Sequence, residues 1–416
     1  MALASQPTVG SKPASFLIRS FQPFRYRDFR LMWGGAFTST CGTWMQSVAQ
    51  SWLVLQLTGS AFYLGLVGFL ADLPIMLFSL VGGVVADRAD RRKLLLGSQF
   101  TQMTSAFILT ALVLANKVQI WHILALVFVS GTGQAFGGPA YQALIPGLVN
   151  REDVPKAIAL NSIQFNLARM VGPLLAAAAL AAGGMVVCFG LNGLSFLAVI
   201  VSLYIIRATF LPQKTTESVY EGLKQGFVYV KSRGALWQLT VLGFVSTFCA
   251  IPLLTLLPVF AKDIFGLGAT GFSYLVATSG AGSITGAVLY AGLSHHRHRP
   301  VVVLWIQILF AALLSAFAIS RLLLLSHAVL FLAGMGLMVM FASITSLVQL
   351  GTSEELRGRT MSIFMLAFRS GMPLGNLVFG YLAARFSPSS ALIVASILLA
   401  MVATGFLASN SGMKRL

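Results

Sequence analysis

The sequence predicts an all-α membrane protein of about twelve spanning helices in two similar six-helix halves. Three observations carry this: an extreme apolar bias, a regular alternation of apolar windows with short polar breaks, and residue patterns that recur at a fixed offset. Of 416 residues, 57% are hydrophobic and 9% charged, with a mean hydropathy of +0.85, whereas an ordinary soluble domain carries roughly 25% charged residues. A water-soluble fold is excluded. At about 20 apolar residues per crossing, a chain of this length accommodates about a dozen spans.

The elements follow in order. Residues 1–29 form a polar, basic arm without the short apolar core and cleavage site of a secretory signal, so no cleavable leader is expected. Apolar windows then fall at 30–57, 61–86, 94–115, 120–148, 157–182 and 186–206, and again at 235–262, 270–293, 301–320, 326–350, 360–384 and 390–408. The longer windows imply tilted helices or protruding ends. The longest connection, 207–234, separates a first bundle (30–206) from a second (235–408), and 409–416 is a tail. Within the connection Tyr220, Leu223, Phe227 and Val230 recur at helical spacing against Glu221, Lys224 and Lys231, which predicts a short amphipathic helix at the membrane surface.

The formal charge of +17 does not point to nucleic acid, because the 28 Lys and Arg residues sit singly or in short clusters between apolar runs. Lys117, Lys262, Arg321 and Arg385 fall on one side, Arg169 and Arg369 within spans, and all the others on the side of both termini. By the positive-inside rule both termini face the cytoplasm of a bacterial inner membrane. Cys41, Cys188 and Cys249 each lie in an apolar stretch, so buried thiols are expected and neither a disulfide framework nor a metal site. His122 and His327 begin spans and read as interfacial; the cluster His295 to His298 reads as part of a basic loop.

The halves repeat. Ser162, Ile163, Arg169, Pro173 and Leu174 return as Ser362, Ile363, Arg369, Pro373 and Leu374, an offset of 200 throughout. A weaker echo joins His122, Gly131 and Phe136 of span four to His327, Gly336 and Phe341 of span ten. Both link helix n to helix n + 6, the sign of an internal duplication. Each proline removes a backbone donor four residues after an arginine and marks a helix kink.

Three charges lie inside the spans: Asp72 in span two, Arg169 in span five and Arg369 in span eleven. At 1.5 Å per residue each is about 14 to 18 Å deep. A lone charge there costs at least about 2.5 to 3.5 kcal/mol, so such groups pair or face water and are commonly functional. Polar residues Ser39, Thr43, Gln46 and Gln50 share one face of span one. Such residues also serve as interhelical hydrogen-bonding groups. No phosphate-binding Gly loop, nucleophile with a base, or surface cluster of His and carboxylates speaks for a membrane enzyme.

The loop after span two, Gly83, Asp87, Arg88, Asp90, Arg91, Arg92 and Lys93, resembles the signature GxxxDRxGRR of the major facilitator superfamily, with Asp90 where that family usually has Gly. The runs Phe24 to Trp33, Gly42-Thr43-Trp44-Met45-Gln46, Leu57-Thr58-Gly59-Ser60 and Ala159-Leu160-Asn161-Ser162 resemble the branch of enterobactin exporters, macrolide efflux proteins and transmembrane secretion effectors. Ala168, Gly172-Pro173 and Ala176-Ala177 resemble the Gly-Pro motif of antiporters in that superfamily, which favours export.

The resemblance implies a major facilitator fold and a secondary active transporter. It implies a monomer that exchanges protons for a small organic solute such as a siderophore or amphipathic drug, with membrane lipids around it and no cofactor. It also implies that the first and fourth helices of each half line a central cavity, which brings Gln134, Tyr141, Gln142, Ser346 and Gln349 beside the span-one stripe. Gly83, Asp87, Arg88, Arg91 and Arg92 would act as a conformational latch, Asp87 accepting hydrogen bonds near Thr360. Asp72 would meet Arg369 across the interdomain seam, or else pair with Arg169 of its own half. A lipid flippase of the same fold is the alternative, and a lipid-modifying membrane enzyme a more distant one.

Overall fold

The computed structural model describes residues 21–88, 90–207, 219–292 and 300–408, leaving aside the side chains of 79–88, 219, 220 and 222. Among these residues the chain is almost wholly helical and has no strand. The helices are α1 (Arg27–Thr58), α2 (Ala61–Arg88), α3 (Arg91–Leu114), α4 (Ile120–Leu144), α5 (Val154–Ile205), α6 (Val219–Ser232), α7 (Gly234–Ala250), α8 (Pro252–Val259), α9 (Ala269–Gly292), α10 (Pro300–Ile319), α11 (Leu323–Leu350), α12 (Arg357–Arg385) and α13 (Pro388–Ala408).

Helix occupies every one of the twelve predicted windows, with two differences of partition. Windows five and six are one continuous stretch, α5, broken at Gly183 and at Gly184, whose φ of 69° is open to glycine and strained for other residues. The chain folds back there. The Cys188 thiol lies 3.9 Å from the Ala176 carbonyl, although twelve residues of straight helix span about 18 Å. Window seven is built from α7, α8 and the π-helical turn Phe260–Ile264, because Pro252 and Pro258 interrupt the regular ladder.

Nine helical stretches among the described residues are long and apolar enough to cross a membrane, and the longest, Arg151–Ile205, contains both arms of α5. The helices α1 and α3 are of spanning length but carry more polar residues.

Local chemistry sets the helix ends. Gly59 closes α1 in the left-handed conformation at φ 60°, its amide bonding to the Leu55 carbonyl. Asp90 caps α3, its carboxylate accepting from the amides of Arg92 at 2.9 Å and Lys93 at 3.4 Å. The departure from the superfamily's usual glycine thus serves as a helix cap. His122 accepts the Gln119 amide at 3.1 Å in a capping box at the start of α4, and His327 pairs with Thr278 at 2.8 Å. The cluster His295 to His298 lies outside the described residues.

In the first half α1 packs on α5, and α4 on α2 and α3; in the second α11 packs on α9 and α10, α13 on α10, and α12 on α7. Small residues permit these approaches. Gly131 of α4 seats against the Ala71 carbonyl of α2, and Gly334 of α11 against the Ser279 carbonyl of α9. That makes Gly334 the counterpart of Gly131, where the repeat in the sequence pointed to Gly336. Pro173 and Pro373 lie inside α5 and α12. Cys41, Cys188 and Cys249 are buried free thiols.

The linker helix α6 docks on α12. Gly226 rests against the Arg359 carbonyl, Val230 is buried, and Arg359 donates to Gln225 at 2.5 Å. Phe227 is exposed and edge-on to Trp237.

Candidate functional site

Two helix pairs make the most extensive contacts between the halves: α2 with α12, and the first arm of α5 with α9. Both approach closely because glycine removes the side chain at the crossing. A β-carbon on Gly65 of α2 would stand 2.9 Å from Gly380 Cα of α12, and one on Gly68 would stand 2.6 Å from the Asn376 amide nitrogen. Asn376 is held by Thr255, whose hydroxyl donates to its carbonyl oxygen at 2.7 Å. A third contact, Trp52 stacked on Phe272 at 6.1 Å, closes the same end. This end of the molecule, opposite the starts of α1 and α12, is the far side; the other is the terminal side.

Helix geometry places Asp72 and Arg369 on this seam. Asp72 follows Gly65 and Gly68 at positions i + 7 and i + 4, and Arg369 precedes Asn376 and Gly380 by seven and eleven, so both lie on the contacting faces. The register set by Gly68 and Asn376 puts Asp72 opposite Met372, with Arg369 one turn further, about 4.5 Å along the axis. Arg369 acts electrostatically on Asp72, but the two form no ion pair.

Arg169 has different surroundings. Its guanidinium carbon lies 5.6 Å from the centroid of the Trp44 ring. Its carbonyl, deprived of a helical donor by Pro173, faces Gly280, where a β-carbon would come within 2.9 Å. A cavity of about 50 Å³ opens beside it, lined by Trp44, Ser47, Ser51 and Phe272 among others.

A larger cavity of about 480 Å³ lies in the terminal half, between α9, α11 and α12, lined by Tyr290, Phe341, Thr345, Ser346, Gln349 and Phe368. Phe341 and Phe368 meet edge to face at 4.9 Å. Of the residues expected around a central cavity, Ser346 and Gln349 line this one. The others are placed differently. Gln46 accepts from Asn192 at 2.6 Å and contacts Gln50 at 3.5 Å. Ser39 is buried, while Thr43 donates to its carbonyl. Gln134 accepts from Gln102 at 3.4 Å, Tyr141 donates to Asn161 at 2.6 Å, and Gln142 is exposed.

Of the expected latch, Gly83, Asp87 and Arg88 end α2, where side chains lie outside the described residues. Arg91 donates to the Ala143 carbonyl at 3.2 Å, tying α3 to the end of α4. The Arg92 amide belongs to the Asp90 cap. Thr360 is fully buried, and its hydroxyl has no hydrogen-bond partner among the described residues.

One polar cluster escaped the sequence reading. Asp153, at the start of α5 and 2% exposed, accepts from Lys156 at 2.8 Å, Arg25 at 3.0 Å and Tyr26 at 3.0 Å. Lys156 also donates to Gln22. The Lys156 hydrogen bond, with that from Tyr26 and the charges of Lys156 and Arg25, holds the Asp153 carboxyl below its ordinary range. The chain before α1 is thereby fastened to the base of α5. The available signal was the i, i+3 pairing of Asp153 with Lys156; the partners 127 and 128 residues away carried none.

A family model described as transmembrane secretion effector, a major facilitator family, matches residues 18–413. The chain is 24% identical over 391 residues to a macrolide efflux protein of Streptococcus pyogenes, covering 91% of this chain and 96% of that protein. It is 25% identical over 364 residues to a staphyloferrin A transporter of Staphylococcus aureus, covering 84% and 88%. It is 26% identical over 361 residues to an enterobactin exporter of Escherichia coli, covering 86% of each. Among solved structures it superposes with a TM-score of 0.75 and 14% identity on a bacterial homologue of the human lysosomal transporter Spinster, covering 98% of both chains. A nucleoside transporter, NupG, matches with a TM-score of 0.70 and 17% identity, covering 92% and 98%. With a family model spanning nearly its whole length and a fold shared with solved transporters, the chain belongs to the transmembrane secretion effector family of the major facilitator superfamily, and is a membrane transporter and not an enzyme.

Proposed function

We propose that the protein exports a small amphipathic organic molecule across the bacterial plasma membrane, driven by proton entry, through alternating access between the bundles 30–206 and 235–408. The single observation that carries this reading is the asymmetry of closure. Glycine-mediated contacts and the Trp52–Phe272 stack hold the halves together toward the far side, while toward the terminal side an open cavity of about 480 Å³ lies on the wall of the second bundle. With both termini in the cytoplasm, as the Lys and Arg distribution argues, this is a state that receives solute from inside. The efflux or export named for the macrolide, multidrug and enterobactin relatives supports the direction. Asp72, the one carboxylate placed at mid-depth, supports coupling to protons. The connection 207–234 joins the bundles, and the protein acts as a monomer.

The test is transport by purified protein in liposomes, measured for siderophores and amphipathic drugs under an imposed pH gradient. Flux that follows the gradient and collapses with a protonophore is expected for at least one candidate. Flux indifferent to the gradient for all of them would overturn proton-driven export.

A further inference from the structure

The two seams between the halves are related by the internal repeat, yet they differ in charge. At the α2–α12 seam Arg369 has an acid, Asp72, on the contacting face of the partner helix about one turn away. At the α5–α9 seam Arg169 faces none: among the described residues no carboxylate lies within ion-pair distance of it, and its guanidinium makes no hydrogen bond, only the contact with the Trp44 face. A guanidinium carries five donors. Leaving them unmatched near the centre of a membrane is costly, and the Trp44 ring satisfies only the face of the ion.

The surroundings of Arg169 complete a site. Trp44, Ser47 and Ser51 fall at i, i+3 and i+7 and share one face of α1. All three line the cavity of about 50 Å³ together with Arg169, Leu254 and Phe272. Neither serine hydroxyl is engaged by a described residue. The volume suits a carboxylate or one or two waters, a water occupying about 30 Å³, and not a whole drug-sized solute.

We propose that Arg169, Ser47 and Ser51, with Trp44 as a platform, form a binding subsite for an anionic group, a carboxylate or phosphate, at the end of an amphipathic ligand. The guanidinium fork matches such an oxyanion in two parallel hydrogen bonds, the serines supply two further donors, and Leu254 and Phe272 contact the adjoining apolar part. That the ligand is the transported solute rests on the exporter reading; binding at the subsite does not. The same chemistry would take the headgroup of an anionic lipid, and the experiment separates the two.

Equilibrium dialysis of the purified protein in phosphatidylcholine nanodiscs, with 1-naphthylacetate and its uncharged amide as probes, reads the site directly. The carboxylate is expected to bind about tenfold more tightly than the amide, a charge-assisted bidentate contact being lost in the latter. Arg169→Gln should erase that preference, Arg169→Lys should retain part of it, and Lys117→Gln, at an exposed position outside both seams, should leave it intact. If Arg169→Gln does not fold, the double variant Ser47→Ala, Ser51→Ala gives the answer as a several-fold loss of preference.

Repeating the titration with phosphatidylglycerol in the disc distinguishes the sources. Competition assigns the subsite to lipid headgroups, and its absence to solutes; either upholds an anion site. Equal binding of acid and amide to the wild-type protein, or a preference that survives Arg169→Gln, overturns it. Because binding is read without transport, failure of the subsite and failure of the exporter reading are separate results.

Discussion

Gly280 of α9 sits directly on the backbone of Arg169: a β-carbon there would stand 2.9 Å from the Arg169 carbonyl oxygen and 3.0 Å from Met170 Cα. Backbone cannot step aside as a flexible side-chain tip can. The carbonyl is also the one that Pro173 leaves without a helical donor. The freed acceptor, the absent side chain and the charged residue are thus concentrated at one crossing between the halves.

The first prediction follows from that contact. Gly280→Val should force α5 and α9 apart, at a cost of about 1–3 kcal/mol for overpacking, and lower transport at least as strongly as it lowers melting temperature. Gly97 of α3 is the control, because nothing lies within 4 Å of an added β-carbon there. Gly97→Ala should be neutral or stabilising by up to about 1 kcal/mol. Thermal unfolding in detergent, paired with proteoliposome flux, compares them. Equal effects of the two substitutions would contradict the seam's importance.

The second concerns Asp90. Because its carboxylate caps α3, Asp90→Ala should destabilise by about 1 kcal/mol, while Asp90→Ser and Asp90→Gly should each stay within a few tenths. Gly is the residue usual in the superfamily loop. Chemical denaturation in mild detergent measures the series, and an alanine variant as stable as the wild type would remove the cap from the account.

Much of this was legible in the sequence, for identifiable reasons. Spans are readable because about 20 apolar residues in a row have few alternative structures. The break at Gly183–Gly184 is readable because two glycines interrupt such a run. The face of α1 that looks across the seam was not. The stripe Ser39, Thr43, Gln46 and Gln50 is polar and regular, yet Gln46 turns inward to Asn192, while Trp44, Ser47 and Ser51 line the cavity. Neighbouring residues on a helix differ by only 100°, so choosing between two plausible stripes needs the partner helices. The Asp153 cluster was hidden for a related reason, since its donors come from a segment remote in sequence.

A third prediction tests that cluster. The Asp153 carboxyl is held below its ordinary value of 3.8 by hydrogen bonds from Lys156 and Tyr26 and the charge of Arg25. A group depressed in the folded state contributes stability in full above its unfolded pKa and loses it as pH falls through the folded pKa. The contribution should therefore be constant above about pH 5 and decline below 3.8. Asp153→Asn should lower the melting temperature by a few degrees at neutral pH, with the gap closing in acid. A gap that widens as pH falls would show the sign to be wrong.

The last prediction rests on the opposite seam. Asp72 and Arg369 lie on facing sides of α2 and α12, offset by about one turn and without an ion pair, beside a glycine crossing that holds the helices together further toward the far side. An ionised Asp72 is attracted to Arg369, and protonation removes that attraction, so loading a proton loosens this seam and favours its opening. Arg169 sits on the other seam against Trp44, and its charge does not enter this balance. Asp72→Asn, fixed in the uncharged form, should abolish pH-driven efflux, by at least about a hundredfold if the proton is obligatory, while solute exchange without a pH gradient persists. Arg369→Gln should also disturb the pH dependence of transport, and Arg169→Gln should leave that dependence in place even where it weakens binding. Proteoliposome efflux and exchange, measured on the three variants at matched protein content, separate these outcomes. Uphill transport by Asp72→Asn at the wild-type rate would place the coupling proton elsewhere.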